Sequence, residues 1–227
     1  MRTLQEQIQA KVDELDPHAI VTGLGESCKA LLDLKLRPHV RVYGVNDVFK
    51  ITPVHDLVVI DPPLGALDRL WDRYTHIARS SPERLWLYYP NWHLWKWHLK
   101  PRFHDKMRRI DLRLMDMDQI TPESSPPMLA KHPFDHMAIS PACATLLAWQ
   151  QGARRIGILG VDLIPGNHHM AENRHKLSWY FSHLAFQAQQ LHGAITNLCP
   201  WSHLKISPKT VENHPRYAPR FAEVSTS

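Results

Sequence analysis

No stretch of this 227-residue chain approaches the roughly 20 consecutive apolar residues that cross a bilayer, so no membrane-spanning helix is expected. The N-terminus, MRTLQEQIQAKVDELD, lacks the apolar block of a signal peptide and reads as an amphipathic helix, which sets a cytoplasmic location as the expectation. Cysteine is scarce. Cys28, Cys143 and Cys199 are scattered and odd in number, without the paired spacing of a disulfide framework or a zinc site, and read as structural thiols. There is no internal repeat and no compositional extreme. Hydrophobic residues at 44% and charged residues at 22% are ordinary for a globular protein, which excludes general disorder and fibrous architecture.

The net charge of +5 is concentrated in one place. Between Trp92 and Arg113 seven basic residues face two acidic ones, while the rest of the chain is balanced. The length favours one domain, taken as residues 1–208 with a Trp-rich basic insert at about 91–133, followed by an irregular tail at 209–227.

Apolar periodicity orders the chain. Leu4, Ile8, Val12 and Leu15 recur at helical spacing until Asp16-Pro17 stops the helix. Strands are predicted at Ala19–Thr22, Val40–Val45, Leu57–Ile60, Leu85–Tyr89, Arg155–Leu159 and Ala194–Leu198. Helices are predicted around Ala30–Leu34, Leu67–Ala78, Ala142–Gln151 and Leu177–Leu191, and the Pro- and Ser-rich stretch from Ile120 to Pro133 reads as a surface loop. Strand and helix alternate as in βαβ units. The fold class is therefore α/β: a Rossmann-like, mostly parallel sheet with helices on both faces.

In such a sheet ligands sit beyond the carboxyl ends of the strands, where helix N-termini and loop amides converge. Gly23 and Gly25 follow the first strand and permit close backbone approach, and Ser27 can cap the next helix or donate to an anion. Asn46, Asp61 and the Gly160–Asp162 pair stand at three further strand ends. Four such ends can line one crevice.

The order of these turns resembles the bacterial CMP-sialic-acid-dependent sialyltransferases of glycosyltransferase family 42 and related 6-hydroxymethylpterin diphosphokinase-like domains. Gly23-Leu24-Gly25-Glu26-Ser27 is similar to the family's opening G-N-G-P-S turn, and Tyr43-Gly44-Val45-Asn46 to a strand ending in a ribose-facing asparagine. Ile139-Ser140-Pro141-Ala142, the following helix and Arg155 to Asp162 resemble its S/T-S-G segment and I-x-L-x-G-x-D strand. Leu198 to Leu204 resembles the C-P-x-S-x-L close of its core. Leu24, Glu26 and Pro141 depart from the pattern and leave the donor open.

The strand-end position of Asp61 makes it a candidate nucleotide-binding residue, and the resemblance implies nucleotide binding by Gly23, Gly25, Ser27, Asn46, Ser140, Gly160 and Asp162, and a histidine general base before the last long helix. His175 fits that base, with His169 as the second candidate. The competing reading is that these histidines are solvated loop residues. His168-His169 with His175, or His132 with His136, make no standard metal-ligand pattern, and no metal is expected.

Trp95, Lys96, Trp97, Lys100, Arg102, Arg108 and Arg109 mix stacking surfaces with phosphate-seeking cations, which suits nucleic acid or an acidic glycan as acceptor. Alternatively the tryptophans are core or dimer anchors, and homo-oligomers stay open. The leading expectation is a metal-independent glycosyltransferase. Its co-substrate is a CMP- or UDP-linked sugar, with no bound cofactor, and its acceptor a glycan or a modified nucleic-acid base. The rivals are a non-catalytic nucleotide- or DNA-binding module and a phosphotransferase holding a divalent metal on Asp61 or Asp162.

Overall fold

The Thr3 hydroxyl accepts from the Glu6 N–H while the Glu6 carboxylate accepts from the Thr3 N–H at 2.7 Å, a reciprocal box that starts helix α1 (Leu4–Leu15). The helix ends at Asp16, whose left-handed φ of 46° turns the chain ahead of Pro17. The structure, a computed structural model, describes residues 2–59, 82–88, 111–115, 140–164 and 174–208.

Among the described residues seven strands form one parallel sheet: β1 (Ala19–Thr22), β2 (Arg41–Val45), β3 (Asp56–Val59), β4 (Arg84–Tyr88), β5 (Asp111–Met115), β6 (Arg155–Leu159) and β7 (Ala194–Asn197). Their spatial order is β5-β4-β3-β2-β1-β6-β7. The chain thus runs outward from β1 through β5, returns to the other side of β1 as β6, and ends on β7. Helices α2 (Ser140–Gln150) and α3 (Arg174–Gln190) cover one face. Strand alternation assigns the layers: Val21, Tyr43, Ile156 and Ile158 face α2 and α3, while Ile20, Val42 and Leu159 face α1 with Ile8 and Val12. The fold class is the α/β, Rossmann-like sheet that the alternation of strands and helices predicts. Among the described residues no helix is long and apolar enough to cross a membrane.

Three differences from the sequence reading stand out. The connection after β1 is a 3-10 helix, Glu26–Leu32, rather than an α-helix reaching Leu34, and Gly25 at its start gives no side-chain cap. Ser27 does not act as that cap because its hydroxyl is committed elsewhere. Strand β5 was not anticipated and lies inside the segment read as an insert. The expected helix at 67–78 lies outside the described residues.

At the amino ends of β2, β3 and β4 a buried carboxylate ties the strands together. Asp56, fully buried, accepts from Arg41 Nε at 3.0 Å, Arg84 Nε at 2.5 Å, Arg84 Nη2 at 3.0 Å and Trp86 Nε1 at 2.9 Å. The guanidinium groups of Arg84 and Arg113 both lie 5.5 Å from the Trp86 ring centroid, and Arg113 also pairs with Asp111. One cation of the basic segment therefore packs on the sheet. Burial, then the neighbouring Asp56 charge, pushes the Tyr43 hydroxyl up to about 12.

His18, between α1 and β1, accepts at Nδ1 from the Arg154 N–H at 3.1 Å. Burial, followed by the charge of Arg155, lowers its pKa from 6.5. Because the folded protein binds this proton less readily than the unfolded chain, the contribution is present above pH 6.5 and is lost as pH falls through the folded value. Melting temperatures between pH 7.5 and 5 should fall more steeply for the native protein than for His18→Gln; parallel curves would refute this role.

Candidate functional site

Strand order reverses at β1 and β6, and there the two backbones nearly touch. The Gly25 N–H donates to the Gly160 carbonyl at 2.6 Å, and the Gly23 N–H to the Leu159 carbonyl at 2.9 Å. A Cβ on Gly23 would stand 2.5 Å from the Gly160 carbonyl oxygen, and one on Gly25 would stand 2.5 Å from Asp162 Oδ2. Both glycines are required by this contact between the turns. Gly160 has φ +66°, the left-handed region open to glycine, and Leu163, two residues beyond Val161, adopts φ 54°.

Ser27 and Asp162 lock the two turns together. The Asp162 carboxylate accepts the Ser27 N–H at 2.8 Å on one oxygen and the Ser27 hydroxyl at 2.5 Å on the other. The same hydroxyl accepts the Gly160 N–H at 2.8 Å. Both residues are buried. In this arrangement Ser27 is a brace for the turn rather than a cap or a free anion ligand, and Asp162 offers its oxygens to Ser27. Glu26, by contrast, is exposed, so its charge faces water.

A second brace lies behind Asp162. The Ser202 hydroxyl donates toward the Val161 carbonyl at 3.0 Å, and the His203 N–H donates to the Asp162 carbonyl at 2.7 Å. Ser202 was not among the predicted site residues; its only sequence signal is its place in the closing Cys199–Leu204 motif. The cysteines are buried free thiols. Burial and the Asp162 charge raise the Cys28 thiol to about 11, and burial raises Cys143 to about 12, so both stay protonated.

Beside this locked turn, β2 delivers Asn46. β1 and β2 pair Thr22 with Gly44, so two residues further out the chains reach Leu24 and Asn46. Asn46 adopts φ 52°, which asparagine tolerates better than most residues, and its amide Nδ2 donates to the Ser140 hydroxyl at 3.3 Å. Its Oδ1 is buried and has no hydrogen-bond partner among the described residues. Ser140 opens α2, an 11-residue helix, and Pro141 stands in its first turn, where the missing N–H costs little. The N-terminus of α2, the Asn46 amide oxygen without a partner among the described residues and the exposed Leu24 thus lie beyond the carboxyl ends of β1 and β2.

Of the predicted nucleotide-binding residues, Gly23, Gly25, Ser27, Asn46, Ser140, Gly160 and Asp162 fall at the carboxyl edge of β1, β2 and β6 and the start of α2. His175 is the second residue of α3, with only its backbone described. Asp61, His169, Trp95, Lys96, Trp97, Lys100, Arg102, Arg108 and Arg109 lie outside the described residues, as do His132, His136 and His168.

Sheet order and turns define a doubly wound α/β protein whose strand order switches between β1 and β6. The chain is similar in structure to a point mutant of the alpha-2,3/8-sialyltransferase CstII, with a TM-score of 0.52 and 16% sequence identity over 86% of this chain and 89% of that chain. At this identity the likeness establishes a shared fold. No family model matches the chain, and no curated protein matches it.

Proposed function

We propose that this protein is a metal-independent glycosyltransferase that binds a CMP- or UDP-linked sugar at the carboxyl edge of β1, β2 and β6. The observation that carries this reading is the Asn46–Ser140 pair. A buried amide oxygen without a partner is costly, and a ribose hydroxyl would satisfy it. The N-terminus of α2 beside it favours a phosphate. The Gly23, Gly25 and Gly160 backbones pack against one another and, with Ser27 and Asp162, hold rigid the turns that flank this site. His175 takes the acceptor proton, and the acceptor is a glycan or a modified nucleic-acid base met by the Trp95–Arg109 segment.

Thermal shift with CMP, UDP, GDP, ADP and ATP, with and without Mg²⁺, tests the nucleotide step. A nucleotide at about 100-fold its Kd stabilises by about 2.7 kcal/mol, or about 5–11 °C for a chain of this size. Selective stabilisation by CMP or UDP without metal is the expected result, weakened about tenfold in affinity in Asn46→Gly, which keeps the left-handed backbone but removes the amide. No shift with any of the five would overturn the assignment.

One observation favours a second reading. The Ser27–Asp162 lock occupies polar groups that a working crevice would otherwise present to ligand, as in a module that kept the nucleotide site without the chemistry. Hydrolysis or transfer of the sugar from whichever nucleotide sugar binds separates the two, because a module shows the shift without turnover.

A further inference from the structure

Away from the crevice, the Cys199–Pro208 segment folds back beside the last strand and leaves a cavity of about 490 Å³. β7 is an edge strand whose Ala194 and Leu198 N–H groups bond to the Arg154 and Ile158 carbonyls of the β6 side. The alternate groups of Ile195 and Asn197 therefore face away from the sheet, toward this space. The half-buried Ile206 supplies apolar lining, and Thr196 and Asn197 polar lining.

Two lysines from distant parts of the chain meet the same cavity. Lys11 Nζ donates to the Asn197 carbonyl at 3.0 Å, and Lys205 Nζ to the Ser202 carbonyl at 3.3 Å. Each ammonium has three donors, so each keeps two for a ligand. None of the described lining residues carries a carboxylate, and neither lysine forms an ion pair with a described residue. The cavity is thus a doubly cationic pocket with an apolar wall, and its volume lies within the range of about 300–1,000 Å³ typical of small-molecule sites.

We propose that this cavity binds a small phosphomonoester, with Lys11 and Lys205 holding the phosphate and Ile206 packing its organic part. A phosphate dianion matches two ammonium groups, whereas a carboxylate would leave one uncompensated. The site is distinct from the crevice. It does, however, share a wall with it: Ser202, which lines the cavity, is the residue bonded to the Val161 carbonyl behind Asp162.

Calorimetric titration of the full-length protein with glycerol 3-phosphate at constant ionic strength, with glycerol as the uncharged control, tests the site. Saturable binding of the phosphate ester alone is expected, weakened about tenfold in Lys205→Gln and further in the Lys11→Gln/Lys205→Gln double variant, since each substitution removes a charge-assisted bond to the phosphate. Lys205 is exposed, so its single variant keeps the test valid should the double variant fail to fold. Asn46→Gly should bind glycerol 3-phosphate as the native protein does, whatever becomes of nucleotide binding. Absence of binding, binding unchanged in Lys205→Gln, or binding lost in Asn46→Gly would each overturn the proposal.

Discussion

Asp56→Asn should lower the stability of the fold by about 3 kcal/mol, a fall of roughly 6–12 °C in melting temperature. The carboxylate is fully buried on β3 and is the shared acceptor for two guanidinium groups and an indole N–H from the two strands that flank it, β2 and β4. Removing its charge leaves Arg84, whose side chain is only 17% exposed, without a counter-ion among the described residues. It also replaces one accepting oxygen with an NH₂ group that faces donors. The loss belongs at the lower end of what breaking a buried pair costs, because Arg41 keeps contact with water and with Glu83. Glu83→Gln is the matched control. Its side chain is 59% exposed, and a surface pair of this kind contributes at most about 1 kcal/mol. Urea denaturation of both variants decides the matter: an Asp56→Asn midpoint equal to that of Glu83→Gln would show that the cluster is not a structural tie.

The second large effect concerns chemistry and follows from the proposed glycosyl transfer. His175→Ala should reduce sugar transfer by about 10²–10⁴-fold while the melting-temperature shift with the preferred nucleotide is retained, as expected for loss of a general base. A residue that merely supports the fold would lower both. The rate of the native protein should rise with pH as the imidazole loses its proton, and the His175→Ala profile should be flat across that limb. His169→Ala provides the comparison, being the second candidate in the same segment. Full transfer activity in His175→Ala, with the pH limb intact, would remove it from the mechanism; loss of that limb in His169→Ala would move the role there.

The elements that sequence patterning located are those whose signal is local. β1, β2 and β6 are short β-branched runs closed by Gly, Asn or Asp, and α1 and α2 are bounded by Thr3, Asp16-Pro17 and Ser140-Pro141. β5 escaped notice because Asp111-Leu-Arg-Leu-Met carries charges on one face, which an edge strand tolerates but which reads as part of a basic surface segment. The helix expected after Ser27 is a 3-10 segment instead, and the hydroxyl read as its cap bonds to a carboxylate 135 residues away, a partner that no local pattern reveals.

The sequence by itself determined the alternation of strand and helix, the apolar layers, and the positions of the polar residues at the strand ends, because each depends on spacing within a few residues. Tertiary structure alone decided what those residues do. It set Ser27 against Asp162, left Asn46 Oδ1 buried beside Ser140, drew Arg41, Arg84 and Trp86 onto Asp56, and brought Lys11 and Lys205 to one cavity. Hydrogen bonds and charge pairs act over a few ångströms in space, and a distance of that kind is fixed by strand order, which no short stretch of chain encodes.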